Sequence, residues 1–240
     1  MKTKKVIIGA CATMMLSFSV YGLTPVAAAD ESVQISVGTA SAKSGEQFTL
    51  NVSLTDIPAA GIQATDFSIN FDSSIVAIDF VAIGETAKTG AETADPTASY
   101  ASVFDYAINN EEGYVSFIWS TGLDDSSYWM KNDGVFCTIT GTVSTSAAVG
   151  TESPVKIVPT NRETFVDSGK SNDVITCGYS NDDAVVLYDV TTIDGSVTVL
   201  GTTGSTLRGD ANCDSNVDMS DAVLIMQSIS NPDKYGINGS

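Results

Sequence analysis

Oxygen-bearing side chains recur at alternate positions between Asp210 and Asp221, in the stretch D-A-N-C-D-S-N-V-D-M-S-D. Calcium takes about six to eight hard oxygen ligands, and a chain that wraps around the ion turns alternate residues inward. The spacing therefore predicts a calcium-binding loop. The side chains at positions 1, 3, 5 and 12 are expected to bind the ion directly, and these are Asp210, Asn212, Asp214 and Asp221. Position 7, Asn216, would contribute its backbone carbonyl, and position 9, Asp218, would bind through a water molecule.

This loop is of EF-hand type, with two departures from the general pattern. Ser215 stands where glycine normally makes the sharp turn, and Asp221 replaces glutamate. Val217 is expected to pack under the helix that follows. The apolar run 222–229 predicts that helix, and Pro232 ends it. The alternative is an Asp/Asn-rich turn before a capped helix, with Ser220 or Asp221 as the cap.

Composition narrows the function classes open to the chain. It has 240 residues, a formal net charge of −18 and no histidine. Nucleic acid is therefore an improbable partner, and catalysis by a histidine base is excluded. A 43% hydrophobic content is enough for a folded core.

The N-terminal 29 residues have the plan of a secretory signal peptide. Lysines at positions 2, 4 and 5 precede the apolar run 6–23, and small residues end at Ala29. We expect cleavage before Asp30; an uncleaved membrane anchor and lipid attachment at Cys11 are the alternatives. Export permits a disulfide between Cys137 and Cys177, but buried free thiols are an equal alternative, and Cys213 is left over.

Between residues 30 and 200 the sequence reads as short β-segments separated by turn residues. The stretch 62–71 puts Thr65, Phe67, Ile69 and Phe71 on one face and small or polar residues on the other, which predicts a half-buried strand. Other strands are predicted at 33–37, 48–54, 102–108, 114–120, 135–143, 155–158, 184–187 and 195–200. No clean helical period interrupts them, so the fold class is all-β, a two-sheet sandwich. A Gly/Thr/Ser linker at 201–208 leads to the loop and helix of 209–240.

The segment 209–227 resembles the first repeat of a dockerin, in which aspartate at position 12 is usual. The larger domain resembles a cohesin in the passages G-I-Q-A-T-D-F from Gly61, K-N-D-G-V-F from Lys131 and D-G-S-V-T-V from Asp194. The resemblance implies a jelly-roll β-sandwich of about nine strands, followed by an EF-hand-like calcium loop and helix. It also implies a non-catalytic adaptor scaffoldin of the cellulosome, which is a multi-enzyme complex. Such a protein is secreted and works outside the cell, in a complex that is either held at the cell surface or released.

In such an adaptor the cohesin would bind dockerins of secreted polysaccharide-degrading enzymes, and the dockerin would attach the chain to a cohesin of another scaffoldin. The resemblance implies that the cohesin binds through the sheet face opposite the core residues Phe67, Phe117 and Trp119. The residues on that face are Ala64, Asp66, Ser68, Asn70, Asp105, Asn109, Ser116 and Ile118.

For the dockerin side, the resemblance places the recognition surface on the helix after the loop, at Met219, Ser220, Met226 and Gln227. An alternative is that Val223, Leu224 and Met226 form the core stripe of this helix. A second calcium repeat does not follow in these 240 residues. We therefore expect either a truncated module or a weakly ordered half-dockerin that docks on its own cohesin.

Two other function classes compete with the adaptor. A carbohydrate-binding β-sandwich would use exposed aromatic residues, of which Tyr128 and Trp129 are the best pair. A glycoside hydrolase would need two catalytic carboxylates, which the 29 acidic residues could supply. The roughly 170 residues of short strands between 30 and 200 make a small domain for such an enzyme.

Overall fold

The computed structural model describes residues 25–160, 173–180, 185–201, 209–212, 216–232 and 234–235, with backbone only for 25–30. The predicted signal peptide up to residue 24, the linker residues 202–208 and the predicted ligand Asp214 lie outside the described residues. The chain divides into two compact units, Met1–Val199 and Leu200–Ser240.

The described residues of the first unit form twelve strands and a one-turn helix, α1, at Ala91–Ala94. The strands are β1 Pro25–Val37, β2 Thr39–Lys43, β3 Gln47–Thr55, β4 Ala64–Asn70, β5 Val76–Ile83, β6 Phe104–Asn109, β7 Tyr114–Ser120, β8 Gly134–Val143, β9 Glu152–Val158, β10 Thr176–Ser180, β11 Val185–Ile193 and β12 Gly195–Leu200. The all-β class and the sandwich are confirmed.

One layer of the sandwich is built around β4. This strand pairs with β7, which pairs in turn with β6. Its other edge is shared by two strands, because β9 pairs with Ser68–Asn70 and β10 pairs with Ala64–Asp66. Two separate strands thus share this edge. The unpredicted strands β2, β5 and β10 raise the number of described strands above the predicted nine.

The other layer has the order β11–β1–β3–β8–β5. The two layers are joined by the β10–β11 pairing, and β12 and β2 continue beyond β9. Strand β3 shows why these segments become strands: Phe48, Leu50, Val52 and Leu54 alternate with exposed or partly exposed residues and all point into the core. Each side chain of this kind contributes about 1.5 to 3 kcal/mol when it is fully buried.

Aromatic rings connect the two layers. Phe136 of β8 lies 5.6 Å from Phe67 of β4 and 6.4 Å from Phe117 of β7, measured between ring centroids. Phe67 and Phe117 are themselves 5.2 Å apart. Trp119 is buried beside this group and donates its indole N–H to the carbonyl of Ala87 at 2.9 Å. The core is therefore where the sequence places it, on the Phe67 side of β4.

Strand β5 was not predicted from the sequence. It pairs with β8, and its register shifts between Ile78 and Phe80, so that Asp79 is an extra residue in a β-bulge. The bulge interrupts the alternation that would reveal a strand. The predicted strands also left out β2 and β10, which are only five residues long each.

Cys137 and Cys177 are both buried free thiols. Of the two alternatives left open by the sequence, the disulfide between them is therefore not formed. Burial raises the pKa of the Cys177 thiol to about 12 and also raises the pKa of Cys137.

The predicted signal peptide and strand β1 overlap. Pro25, Val26 and Ala27 pair in parallel with Val185, Val186 and Leu187 of β11, and pairing resumes at Ser32. Cleavage before Asp30 would remove the first part of this pairing and leave the ladder from Ser32 onward intact.

The second unit contains helix α2, Met219–Ser230, preceded by the described loop residues 209–212 and 216–218. Among the described residues, no helix is long and apolar enough to cross a membrane.

Candidate functional sites

Three antiparallel strands carry the predicted partner-binding residues of the sandwich. Residues directly opposite one another in β4, β7 and β6 stand on the same face of the layer. Asp66 lies opposite Ile118, and Ile118 lies opposite Asp105. This register brings all the predicted residues onto one face: Ala64, Asp66, Ser68, Asn70, Asp105, Asn109, Ser116 and Ile118.

The opposite face of these strands belongs to the core, as predicted. Phe67 lies opposite Phe117, and Thr65 lies opposite Trp119. The three aromatic side chains are buried. The period of two along each strand therefore separates core residues from candidate binding residues correctly.

The outer face of β4 is buried too, so the prediction of a half-buried strand was wrong. Asp66 is 1% exposed and Ser68 is 0% exposed, and Ala64 and Ile118 are also buried. Strand β4 is an inner strand with neighbours on both edges.

Polar contacts on this face hold the strands together. The hydroxyl oxygens of Ser68 and Ser116 are 2.7 Å apart and share a hydrogen bond between β4 and β7. The backbone N–H of Thr176 donates to Oδ1 of Asp66 at 3.4 Å, which joins β10 to β4. Asp66 and Ser68 therefore hold the strands of this face together, whereas other members of the face, such as Asn70 and Asp105, retain exposure.

Asn109 shapes one end of the face. Its side-chain oxygen accepts the backbone N–H groups of Glu111 and Glu112, each at 3.1 Å, and its carbonyl accepts the N–H of Gly113 at 2.9 Å. Gly113 has a φ of 73°, in the left-handed region that favours glycine. A Cβ there would also lie 2.4 Å from the carbonyl oxygen of Phe71. Asn109 is thus a turn residue of the β6–β7 hairpin as well as a candidate for contact.

The two arms of the predicted calcium loop meet at the carboxylate of Asp221. Its Oδ1 accepts the backbone N–H groups of Ala211 at 2.8 Å and Asn212 at 3.2 Å, and its Oδ2 accepts that of Asp218 at 2.9 Å. The hydrogen bond from Asp218 is the main reason that the pKa of Asp221 lies below its ordinary value. The position-12 carboxylate therefore faces into the loop, where it is 2% exposed.

Helix α2 begins with a complete capping box. Asp218 is the N-cap, and its Oδ1 accepts the N–H of Ser220 at 2.7 Å and the hydroxyl of Ser220 at 2.6 Å. These bonds from Ser220 lower the pKa of Asp218. The alternative that named Ser220 or Asp221 as the cap was wrong, because both lie inside the first turn of the helix as hydrogen-bonding partners of Asp218.

The predicted ligands of the loop are of the kind that calcium prefers. All predicted ligands supply oxygen, and Asp221 is turned inward. In the arrangement observed, Oδ1 of Asp221 already accepts two N–H groups, so bidentate ligation would require one of them to move away. Among the described residues, no three acidic, cysteine or histidine side chains form a cluster that could hold a metal.

The predicted recognition residues of α2 are all exposed. Met219 is 76% exposed and Met226 is 59% exposed, and Ser220 and Gln227 are exposed beside them. Val223 is exposed as well and Leu224 only partly buried. The described residues of this unit therefore do not bury Val223 and Met226 as a core stripe.

Val217 does not pack under the helix as expected. It is 50% exposed. Its side chain lies beside Gly209 instead, since a Cβ added to that glycine would be 3.2 Å from a Val217 methyl group. A single loop and helix offer too little apolar surface to cover it.

The aromatic pair of the carbohydrate-binding alternative does not form an exposed platform. Trp129 is 7% exposed, donates its indole N–H to the carbonyl of Leu123 at 2.8 Å and packs against Tyr179 at 5.5 Å. Tyr128 is partly buried against the core. These two residues pack the loop rather than present a sugar-binding surface.

Asp95 is a positioning residue that the sequence did not single out. Its Oδ1 accepts the N–H and the hydroxyl of Thr97, and its Oδ2 accepts the hydroxyl of Thr121 at 2.8 Å and the N–H of Gly122 at 2.6 Å. Burial raises its pKa, but these hydrogen bonds outweigh burial and hold the pKa below its ordinary value. Asp95 fastens the segment after α1 to the end of β7. The sequence Asp95-Pro96-Thr97 is a turn signal that could have indicated it.

The sequence of this chain is similar to parts of two much longer proteins. Cellulosomal-scaffolding protein A of Acetivibrio thermocellus is 26% identical in an alignment of 228 residues, which covers 88% of this chain and 12% of that protein. A xylanase/beta-glucanase of Ruminococcus flavefaciens is 62% identical over 32 residues, which are 13% of this chain and 4% of that enzyme. The chain thus spans a small part of either relative.

Among solved structures, the third cohesin of ScaC from Acetivibrio cellulolyticus, in complex with the ScaB dockerin, is 27% identical with a TM-score of 0.54. The similarity covers 70% of this chain and 99% of that one. The model of the cohesin domain family matches residues 33–199. Cohesin modules of scaffoldins are non-catalytic, which agrees with the prediction that the sandwich is not an enzyme. Through these residues, which make up most of its length, the chain belongs to the cohesin family.

Proposed function

We propose that the sandwich binds dockerin modules of secreted polysaccharide-degrading enzymes through the outer face of β4, β7 and β6. The observation that carries the proposal is the row formed by Asp66, Ile118 and Asp105, which crosses three strands in register. A rigid sheet of this kind can present a flat surface to a folded partner and bury an interface of standard size, about 800 Å² on each side. The similar cohesin structure, which contains a dockerin, supports the proposal.

Within that face, the residues available for direct contact are those that retain exposure. Asn70 is exposed, and Asp105, Asn109 and Ser116 are partly exposed. The buried members of the face, above all Asp66 and Ser68, act by holding the strands in register. Polar groups around a small apolar centre are typical of such interfaces.

The segment 209–240 is proposed to attach the chain to a cohesin of another scaffoldin. Four exposed residues of α2 support this role. Met219 and Met226 are seven positions apart, and so are Ser220 and Gln227. Residues at that spacing lie on the same side of a helix. The short stretch shared with the xylanase/beta-glucanase equals this segment in length.

Calcium is proposed to bind at Asp210, Asn212, Asp214, Asn216, Asp218 and Asp221. The ion would neutralise the acidic loop and hold it closed at the start of the helix. The inward carboxylate of Asp221 and the capping box at Asp218 support this proposal, since both already draw the loop toward the helix N-terminus. The assembly is proposed to operate outside the cell, in a released or cell-surface multi-enzyme complex, which the predicted signal peptide supports.

Affinity capture tests the proposal. The chain from residue 30 onward would be immobilised and incubated with the secreted proteins of the source organism, with calcium or with a chelator. We expect dockerin-bearing enzymes to be retained with calcium and lost with the chelator. Retention of cellulose but of no dockerin-bearing protein would contradict the proposal.

Point variants assign the capture to the face. Asp105→Arg places a long, positively charged side chain on β6 of the candidate face. Thr49→Arg places the same side chain on the exposed side of β3, in the other layer. We expect the first variant to lose the enzymes and the second to keep them. Equal capture by both would show that the partner binds elsewhere.

A further inference from the structure

The outer face of the β4 layer extends beyond the residues that the sequence singled out. Asn70 of β4 lies opposite Tyr114 of β7, and Tyr114 lies opposite Asn109 of β6. On the other side of β4, Asn70 lies opposite Lys156 of β9. Because residues directly opposite one another share a face of the sheet, these four residues form one row across four strands, termed here the Tyr114 row. The predicted contact residues included Asn70 and Asn109 but neither Tyr114 nor Lys156.

Tyr114 is the one aromatic residue among the outward positions of β4, β6 and β7. The neighbouring row consists of Ser68, Ser116 and Ala107, which all have short side chains. Tyr114 keeps partial exposure beside them. Tyrosine is enriched among the residues that dominate binding energy, because it offers a large rigid ring together with a hydroxyl group. This position is therefore suited to anchor a partner.

The polar groups of the Tyr114 row have hydrogen-bonding capacity to spare. Within the described residues, no hydrogen bond reaches the hydroxyl of Tyr114, the side-chain amide of Asn70 or Nδ2 of Asn109, whose Oδ1 alone is used in the turn. The hydroxyls of Ser68 and Ser116, by contrast, already bond each other. A partner can thus form hydrogen bonds with this row without breaking an internal one.

The face carries opposite charges at its two ends. Lys156 is exposed and forms no ion pair with any other described residue. Asp105, which is partly exposed, lies in the row of Asp66 and Ile118. Asp66 and Asn70 are four residues apart on β4, so the two rows are separated by about 13 Å. A partner with an acidic group toward Lys156 and a basic group toward Asp105 would be matched in one orientation and repelled in the reverse one.

We propose that Tyr114 anchors the dockerin on this face and that Lys156 sets its orientation by pairing with an acidic side chain of the dockerin. This inference rests on the proposed function, since it names determinants within the same face. The ring of Tyr114 would supply apolar contact area, and its hydroxyl and the amides of Asn70 and Asn109 would bond polar groups of the partner. Lys156 would extend the interface to β9, a strand outside the predicted binding face.

Isothermal titration calorimetry tests the role of Tyr114. The chain from residue 30 onward would be titrated, with calcium, with a dockerin-bearing enzyme that the wild-type chain captures. Tyr114→Thr removes the ring but keeps a residue that favours strands. Tyr100→Thr makes the same change at a residue outside β4, β6, β7 and β9 that is 86% exposed. We expect about tenfold or greater loss of affinity for the first and less than about twofold for the second.

The possible outcomes separate this inference from the proposed function. Wild-type affinity in Tyr114→Thr would overturn the inference and leave the proposed function standing, whereas a wild-type chain that captures no dockerin-bearing enzyme would overturn both. Tyr114→Phe keeps the ring and loses only the hydroxyl, so its loss of affinity should be the smaller. An equal loss in Tyr114→Phe and Tyr114→Thr would overturn the anchoring role of the ring. Thermal unfolding verifies that each variant is folded.

Charge reversal tests the role of Lys156. Lys156→Glu and Lys88→Glu change the net charge of the chain equally, but Lys88 lies between β5 and α1, outside the face. We expect Lys156→Glu to bind the enzyme at least about fivefold more weakly at low salt and Lys88→Glu to bind like the wild type. Added salt should narrow the difference between Lys156→Glu and wild type. Equal losses in the two variants, or no loss in Lys156→Glu, would overturn the pairing of Lys156 with the dockerin.

Discussion

The side-chain amide of Asn110 forms two hydrogen bonds with the backbone of Ile78. Its Oδ1 accepts the N–H at 2.8 Å, and its Nδ2 donates to the carbonyl at 2.9 Å. Asn110 lies in the β6–β7 turn, whereas Ile78 lies in β5 of the other layer. One side chain thus joins the two layers.

Replacement of this amide should destabilise the sandwich. In Asn110→Ala, the N–H and C=O of Ile78 lose their partners next to a buried side chain, and we expect a loss of about 1 to 2 kcal/mol in the free energy of unfolding. Urea denaturation measures this loss. Glu111→Ala, at the next and exposed position, is the control and should unfold like the wild type. An unchanged midpoint for Asn110→Ala would show that water replaces the amide at no cost.

Asp95 should make the stability of the sandwich depend on acid pH. Its pKa is lowered in the folded state, so its contribution is present above its unfolded pKa of about 3.8 and is lost as the pH falls through the lower folded value. We expect Asp95→Asn to reduce stability at pH 7 by about 1 to 3 kcal/mol, since four donors lose a charged acceptor. The difference from wild type should shrink toward about pH 3. Glu152→Gln, on an exposed residue, is the control; a constant difference at all pH values would contradict the role of the Asp95 charge.

The buried thiols should be unreactive in the folded protein. Burial raises the pKa of Cys177 to about 12, so the reactive thiolate is scarce at neutral pH. We expect Cys137 and Cys177 to resist iodoacetamide until the chain is unfolded, as read by mass spectrometry of the peptides. Rapid labelling of either residue under native conditions, or recovery of the two peptides joined by a disulfide, would contradict the structure.

The start of α2 should depend on the carboxylate of Asp221 even without metal. In Asp221→Ala, the N–H groups of Ala211, Asn212 and Asp218 lose their common acceptor. We expect the first turn of α2 to become disordered, as measured by NMR chemical shifts in the presence of a chelator. Asp218→Asn keeps an oxygen for the N–H of Ser220 and should retain more of the helix. If both variants keep a native first turn, the capping box does not support the helix.

Much of the sandwich follows from the local pattern. Phe67 and Asp66 are neighbours in the sequence and point to opposite sides of β4, because side chains alternate along any strand. For the same reason, the predicted face residues of β4, β6 and β7 came together once the strands paired in register. The capped helix after the Asp/Asn loop was also predictable, since its cap and its apolar run lie within a few residues of each other.

Two of the misses depend on distant parts of the chain. Strand β5 escaped prediction because Asp79 occupies a bulge whose existence depends on pairing with β8. Val217 was expected to be covered, but burial requires a neighbouring surface that a local pattern does not contain. The misassigned cap has a local cause, because Asp218 lies only two residues before Ser220, whose N–H and hydroxyl it accepts.

The sequence by itself determined which residues share a face, where the oxygen-bearing side chains of the loop recur and that the chain is a β-sandwich followed by a loop and helix. These are properties of spacing along a few residues, and backbone geometry imposes them locally. Only the tertiary structure decided that Asp66 and Ser68 are buried on the outer face of β4, that Cys137 and Cys177 remain unpaired and that β5 and β6 are the last described strands of their layers. Exposure and adjacency depend on which remote strands pack together, and that is settled by the free energy of the whole fold.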